Sequence, residues 1–172
     1  MLNISDKQLK INYIQIANMN IIFICNGNKC RSPLAAGILR QKLVQKKMKA
    51  IVDSAGFEAF YINELPDKRA IEKGLEHGFD ISDNHARLFN SKDFDDFDKI
   101  YAMDLVAYRN AIYFARNDSD KTKLDYLMNV IKPDRNESVP DPFYRELDAC
   151  DSTFKILDDA CEKIANKVIP KN

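Results

Sequence analysis

Residues 21 to 33, Ile21-Ile22-Phe23-Ile24-Cys25-Asn26-Gly27-Asn28-Lys29-Cys30-Arg31-Ser32-Pro33, constrain this chain more than any other stretch. Four consecutive apolar residues read as a strand buried on both faces, of the kind found in parallel sheets. Ser32 is a good helix N-cap and proline is tolerated at a first helical position, so a helix is expected from residue 32 to about residue 47. Strand, tight loop and helix in this order aim backbone N–H groups and the positive end of a helix dipole at one point. A dianion such as phosphate fits there. The same field, together with Arg31, favours thiolate over thiol at Cys25. Gly27 and Asn28 both tolerate the left-handed backbone that such a loop needs. A nucleophile and an anion cradle thus share one loop.

The rest of the chain supplies the frame. Its 172 residues suffice for one domain with a proper core and fall short of two. Ala35, Ile38, Leu39 and Leu43 form the apolar stripe of the first helix. Residues 50–54 read as a second strand, and Pro66-Asp67 opens a second helix that Gly78 closes. Residues 99–103 read as a third strand, followed by helix over about 105–116. Residues 123–130 fit strand or helix equally. Phe154, Leu157, Cys161, Ile164 and Val168 make one face of a C-terminal helix. Strands alternating with helices predict an α/β fold with a parallel sheet covered on both sides. Such sheets bind ligands at the carboxyl ends of their strands, where Cys25 stands.

Charge and cysteine usage narrow the function. Lys plus Arg and Asp plus Glu both number 26, so no basic surface for nucleic acid is expected. The acidic run at residues 92–99 reads as a solvated helix face or turn. No apolar run is long enough for a membrane span, and residues 1–20 lack the apolar core of a secretion signal. Four cysteines without paired spacing argue against a disulfide scaffold. No Cys-x-x-Cys occurs, and His77 and His85 lie far from any cysteine pair, so no zinc site is expected. A reducing cytoplasm fits this usage.

The loop Cys25 to Pro33 resembles the phosphate loop of the low-molecular-weight protein tyrosine phosphatase family, Cys-x-Gly-Asn-x-Cys-Arg-Ser-Pro, at every specified position. Val139-Pro140-Asp141-Pro142-Phe143-Tyr144 resembles that family's general-acid loop. Asp53-Ser54-Ala55-Gly56 and Pro66-Asp67-Lys68-Arg69-Ala70 are similar to its second strand and next helix start, and Ala102-Met103-Asp104 to the end of its third strand. The resemblance covers residues 20–172 as a catalytic domain and leaves 1–19 as an N-terminal extension of unknown role. It implies a single domain with a four-stranded parallel sheet, helices on both faces and the phosphate loop after the first strand.

It also implies roles. Cys25 would attack phosphorus, with the planar fork of Arg31 holding the equatorial oxygens. Asp141, stiffened by Pro140 and Pro142, would protonate the leaving oxygen and later activate water. Asn26, Gly27, Asn28, Lys29, Cys30 and Ser32 would bind the phosphate, with the Ser32 hydroxyl also donating to Cys25. Phe60 and Tyr61 would form one aromatic wall of the pocket and Phe143 and Tyr144 the opposite one. Cys30 could pair with Cys25 under oxidation, whereas Cys150 and Cys161 read as inert packed thiols. Ser54 and His85 would support the loop. Two anchors disagree about the histidine: counting from Ile81 favours His85, and counting back from Ala86-Arg87 favours Asn84. The expectation is a buried His85 bonded to Ser54 or Asn28, with Asn84 turned to solvent.

The implied activity is hydrolysis of phosphotyrosine and aryl phosphates through a cysteinyl-phosphate, with no metal or organic cofactor. Its partner would be a tyrosine-phosphorylated protein or small aryl phosphate, with no nucleic acid or membrane, and a monomer is expected. Lys29, Asn26 and Ala107 depart from the family's usual residues and bear on substrate preference. Phosphoarginine hydrolysis is the near alternative. Thiol-linked arsenate reduction would need further cysteines near residues 80–95, where none occurs, and a non-catalytic anion-binding module would lack the nucleophile or the acid.

Overall fold

In the computed structural model, which describes residues 19–142 and 148–168, the four apolar residues of β1 (Ile21–Ile24) are completely buried. The two-residue period of a strand explains how. Ile21 and Phe23 pack to one side against Leu34, Ile38, Leu157 and Ile164, and Ile22 and Ile24 to the other against Phe89, Phe94, Ala107 and Ala111. Both sides of the sheet are therefore covered, as the unbroken apolar run predicts.

β2 (Val52–Ala55), β3 (Lys99–Ala102) and β4 (Leu124–Tyr126) complete a sheet of order β2-β1-β3-β4. All its pairings are parallel: Ile21 lies opposite Val52 on one side and Lys99 on the other, and Ile100 lies opposite Leu124. The strand order reverses direction at β1, so the loop leaving that strand opens into the crevice at the switch point. Among the described residues the helices are α1 (Arg31–Gln45), α2 (Lys68–Glu76), α3 (Asp93–Asp96), α4 (Leu105–Phe114), α5 (Asp118–Lys123) and α6 (Asp148–Val168). α1 and α6 pack together on the Phe23 face, while α3 and α4 cover the Ile22 face. Among the described residues no helix is long and apolar enough to cross a membrane.

Two local expectations are corrected and one that was open is resolved. α1 begins at Arg31 with Cys30 as its N-cap, so Ser32 and Pro33 lie inside the first turn; the Ser32 hydroxyl is drawn into the preceding loop instead of capping. Residues 123–130 divide into β4 and a 3₁₀ turn, Leu127–Val130. The acidic run is not all solvated: Asp93 is buried and holds Arg87 at 2.9 Å. As expected, Asp67 caps α2 by accepting from the Arg69 N–H, and Gly78, at φ 84°, follows its end. Residues 1–18 of the expected extension, together with Phe143, Tyr144 and the side chain of Val168, lie outside the described residues.

Candidate active site

Cys25 stands just beyond β1, buried, with its Sγ 3.0 Å from the Ser32 Oγ. The reason is a small polar network beneath the loop. Asn28 adopts the left-handed conformation, φ 53°, and turns its side chain inward. Its Nδ2 donates to Ser32 Oγ at 3.0 Å and Ser54 Oγ at 2.9 Å, and its Oδ1 accepts from the Arg87 N–H at 3.0 Å. With an amide hydrogen already directed at the Ser32 oxygen, the hydroxyl hydrogen is free to point at sulfur and donate to a thiolate. Gly27 does not share the left-handed backbone. It is needed for close approach, since a Cβ there would lie 3.1 Å from the Tyr61 ring.

His85 is corrected. It is exposed, with Nδ1 3.1 Å from the Asp83 carbonyl, and does not support the loop. Asn84 does not take its place: its Oδ1 accepts from Arg40 at 3.4 Å, and its buried Nδ2 has no partner. The support that the histidine was expected to give comes from backbone. Gly56 N–H donates to Arg87 O and Phe89 N–H to Gly56 O, at 2.9 and 2.8 Å, which holds the Arg87 N–H under Asn28. No side chain is needed there.

Arg31 is 4 % exposed and its guanidinium has partners at both Nη atoms. One Nη meets Asp104 at 2.7 Å and the Val139 carbonyl at 3.1 Å, and the other meets Asp141 at 2.8 Å. Burial works against its charge, but Cys25, Asp141 and Asp104 outweigh burial and hold its pKa above the usual guanidinium value. Asp104 escaped the sequence reading as a site residue. Its other oxygen caps α4 by accepting from the Ala107 N–H at 2.8 Å, a local signal that hides its second role.

A cleft of about 90 Å³ brings Cys25, Cys30, Arg31, Tyr61 and Asp141 together with the rim of the loop. Glu58 also lines it, unforeseen, and accepts from the Asn26 side chain. Lys29, on the rim of the cleft, leans across the Tyr61 ring to Glu64, 2.8 Å away. Phe60 is 81 % exposed and does not line the cleft, so of the expected aromatic wall only Tyr61 is in place; Phe60 touches its edge. Cys30 and Cys150 influence each other: the contact with Cys150 and burial push Cys30 up, and the contact with Cys30, helped by Arg69 and Lys73 against burial and Asp67, holds Cys150 down to about 7. Cys161 is completely buried, and burial pushes its thiol up.

Residues 20–172 match the family model described as low molecular weight phosphotyrosine protein phosphatase. The putative low molecular weight protein-tyrosine-phosphatase of Synechocystis sp. is 32 % identical over 145 residues, covering 83 % of this chain and 92 % of the relative. A protein tyrosine phosphatase from Entamoeba histolytica, solved with Hepes in its active site, superposes with a TM-score of 0.79 at 29 % identity, over 88 % of this chain and 97 % of that one. A Drosophila arginine phosphatase superposes at 0.77 and 28 % identity, over 84 % and 94 %.

Proposed function

The chain belongs to the low molecular weight phosphotyrosine protein phosphatase family and is a cysteine-dependent phosphatase, and from that premise we infer that Cys25, Arg31 and Asp141 carry its chemistry. The observation that supports this most directly is the meeting of all three at one cleft, with Arg31 bridging to Asp141 at 2.8 Å. In this reading the phosphate dianion sits among the loop N–H groups, and Arg31 takes two of its oxygens with a fork that lysine lacks. The Cys25 thiolate, held by the Ser32 hydroxyl, attacks phosphorus. Asp141 protonates the leaving oxygen, then, ionised, takes a proton from the water that breaks the cysteinyl-phosphate. The substrate is a phosphotyrosine protein or small aryl phosphate, whose ring lies along Tyr61. A nucleophilic thiol of this kind needs a reducing compartment, for which the cytoplasm is the natural choice.

One observation favours a second substrate. The Glu58 carboxylate lies at the cleft beside Asn26, where it would attract a cationic guanidinium next to the phosphoryl group. Phosphoarginine carries such a group. The test is hydrolysis of phosphotyrosine and phosphoarginine peptides of one sequence by the wild type, Cys25→Ser and Glu58→Gln. Faster turnover of phosphotyrosine, abolished by Cys25→Ser, supports the first reading. A phosphoarginine preference that Glu58→Gln erases would replace it.

A further inference from the structure

The loop that carries Asp141 has an unusual constraint. Proline has no N–H, so across residues 140–142 only Asp141 itself offers a backbone donor. The loop on either side of the carboxyl can be held only through its carbonyls. Both are held. Thr153, on α6 and completely buried, donates its hydroxyl to the Pro140 carbonyl at 3.1 Å. Arg69, on α2, donates from Nη1 to the Pro142 carbonyl at 3.3 Å. We propose that Thr153 and Arg69 are positioning residues for Asp141, fastening the two carbonyls that flank it and setting where its carboxyl stands above the phosphate loop.

Arg69 ties that position to the phosphate loop itself. Its Nε and Nη2 grip the two oxygens of Asp67, each at 3.1 Å, and the Asp67 N–H donates to the Lys29 carbonyl at 2.7 Å. A chain of hydrogen bonds thus runs from Pro142 through Arg69 and Asp67 to the loop that cradles phosphate. Thr153 supplies the other fastening from α6, which packs along α1, the helix that this loop begets. Upstream the loop is anchored again, by Val139 N–H to the Met103 carbonyl at 2.7 Å and by Arg31 to the Val139 carbonyl. Neither Thr153 nor Arg69 lines the cleft, so neither touches the reacting atoms.

This inference rests on Asp141 being the general acid, and the experiment separates the two. kcat/KM is measured for phenyl phosphate, a poor leaving group, and p-nitrophenyl phosphate, which leaves readily as an anion. The enzymes are the wild type, Asp141→Asn, Thr153→Val, Thr153→Ser and Arg69→Met, with Thr153→Val and Arg69→Met also made in the Asp141→Asn background. Asp141→Asn should cost on the order of 10²–10⁴-fold on phenyl phosphate and far less on the activated ester. Thr153→Val and Arg69→Met should show the same asymmetry at about 10-fold, because a displaced acid loses its alignment. Thr153→Ser should restore the wild-type ratio, and neither variant should lower activity further once Asp141 is gone. Arg69→Met keeps the α2 cap, which uses the backbone N–H of residue 69, so a fold defect in Thr153→Val would leave the other arm decisive. Equal losses on both esters, or undiminished losses in the Asp141→Asn background, would overturn the positioning role while leaving the acid in place. An Asp141→Asn enzyme indifferent to the leaving group would overturn both.

Discussion

Two residues at the base of the cleft, Cys25 and Arg31, are separated by a strand end and a single loop, and both were legible because their chemistry is local. The nucleophile follows an apolar strand, the guanidinium opens a helix, and the residue types between them suit one tight turn. What the structure adds is why Arg31 cannot be exchanged for lysine. Its two Nη atoms reach different groups, Asp104 with Val139 on one side and Asp141 on the other, and a single ammonium cannot span them. Arg31→Lys should therefore lose kcat severely with an aryl phosphate despite keeping the charge. Cys25→Ser should lose all turnover yet still bind inorganic phosphate, since the cradle is mostly backbone; calorimetric titration with phosphate checks this. Retention of near wild-type kcat by either variant would sink the assignment. His85 shows where residue-level reading fails. A side chain was sought to support Asn28, but the partner is the Arg87 N–H, and a backbone donor carries no mark in the sequence.

At the scale of elements, strands and long helices were readable from periodicity, and their ends were not. α1 starts before Ser32 because the serine hydroxyl has better partners in Cys25 and Asn28 than in a helix N–H. Tertiary bonding overrode a local capping preference. The contact between α1 and α6 was legible only as two apolar stripes, yet it also carries charge: Lys42 of α1 and Lys46, the residue that caps its end, both bind Glu162 of α6, each at 3.0 Å. Lys42 first, then Lys46, holds the Glu162 carboxyl down to about 2, against an ordinary value of 4.5. A carboxyl whose pKa is lower folded than unfolded contributes stability that is complete above about 4.5 and fades as pH falls towards 2. Glu162→Gln should thus lower Tm modestly at pH 6, by the equivalent of about 1 kcal/mol or less for a partly exposed pair, and the two melting curves should converge near pH 2. A constant Tm difference across that range would show that the glutamate acts through packing instead of charge.

Across the whole molecule, one contact that escaped the sequence reading joins segments more than a hundred residues apart. Cys30 opens α1 and Cys150 lies in the first turn of α6, and nothing in their spacing announces that the two thiols influence each other. That influence changes how the thiols should respond to peroxide. The Cys25 thiolate takes oxygen from peroxide to give a sulfenic acid and releases hydroxide. Cys30, beside it in the same cleft, can attack that sulfur and expel a second hydroxide, but its proton must leave first. The contact with Cys150 first, and burial second, raise Cys30 and hold that proton on, so Cys150 slows the attack. Mild peroxide should still inactivate the enzyme through a Cys25–Cys30 disulfide that thiol reverses. Cys30→Ser should abolish the crosslink and let Cys25 pass to sulfinic acid, while Cys150→Ser should speed crosslinking by releasing Cys30 from the contact that raises it. Timed quenching with a maleimide, followed by mass spectrometry of the peptides, reads each species. Crosslinking no faster in Cys150→Ser than in the wild type would deny Cys150 that influence, and a Cys25–Cys150 bond in place of Cys25–Cys30 would overturn the pairing.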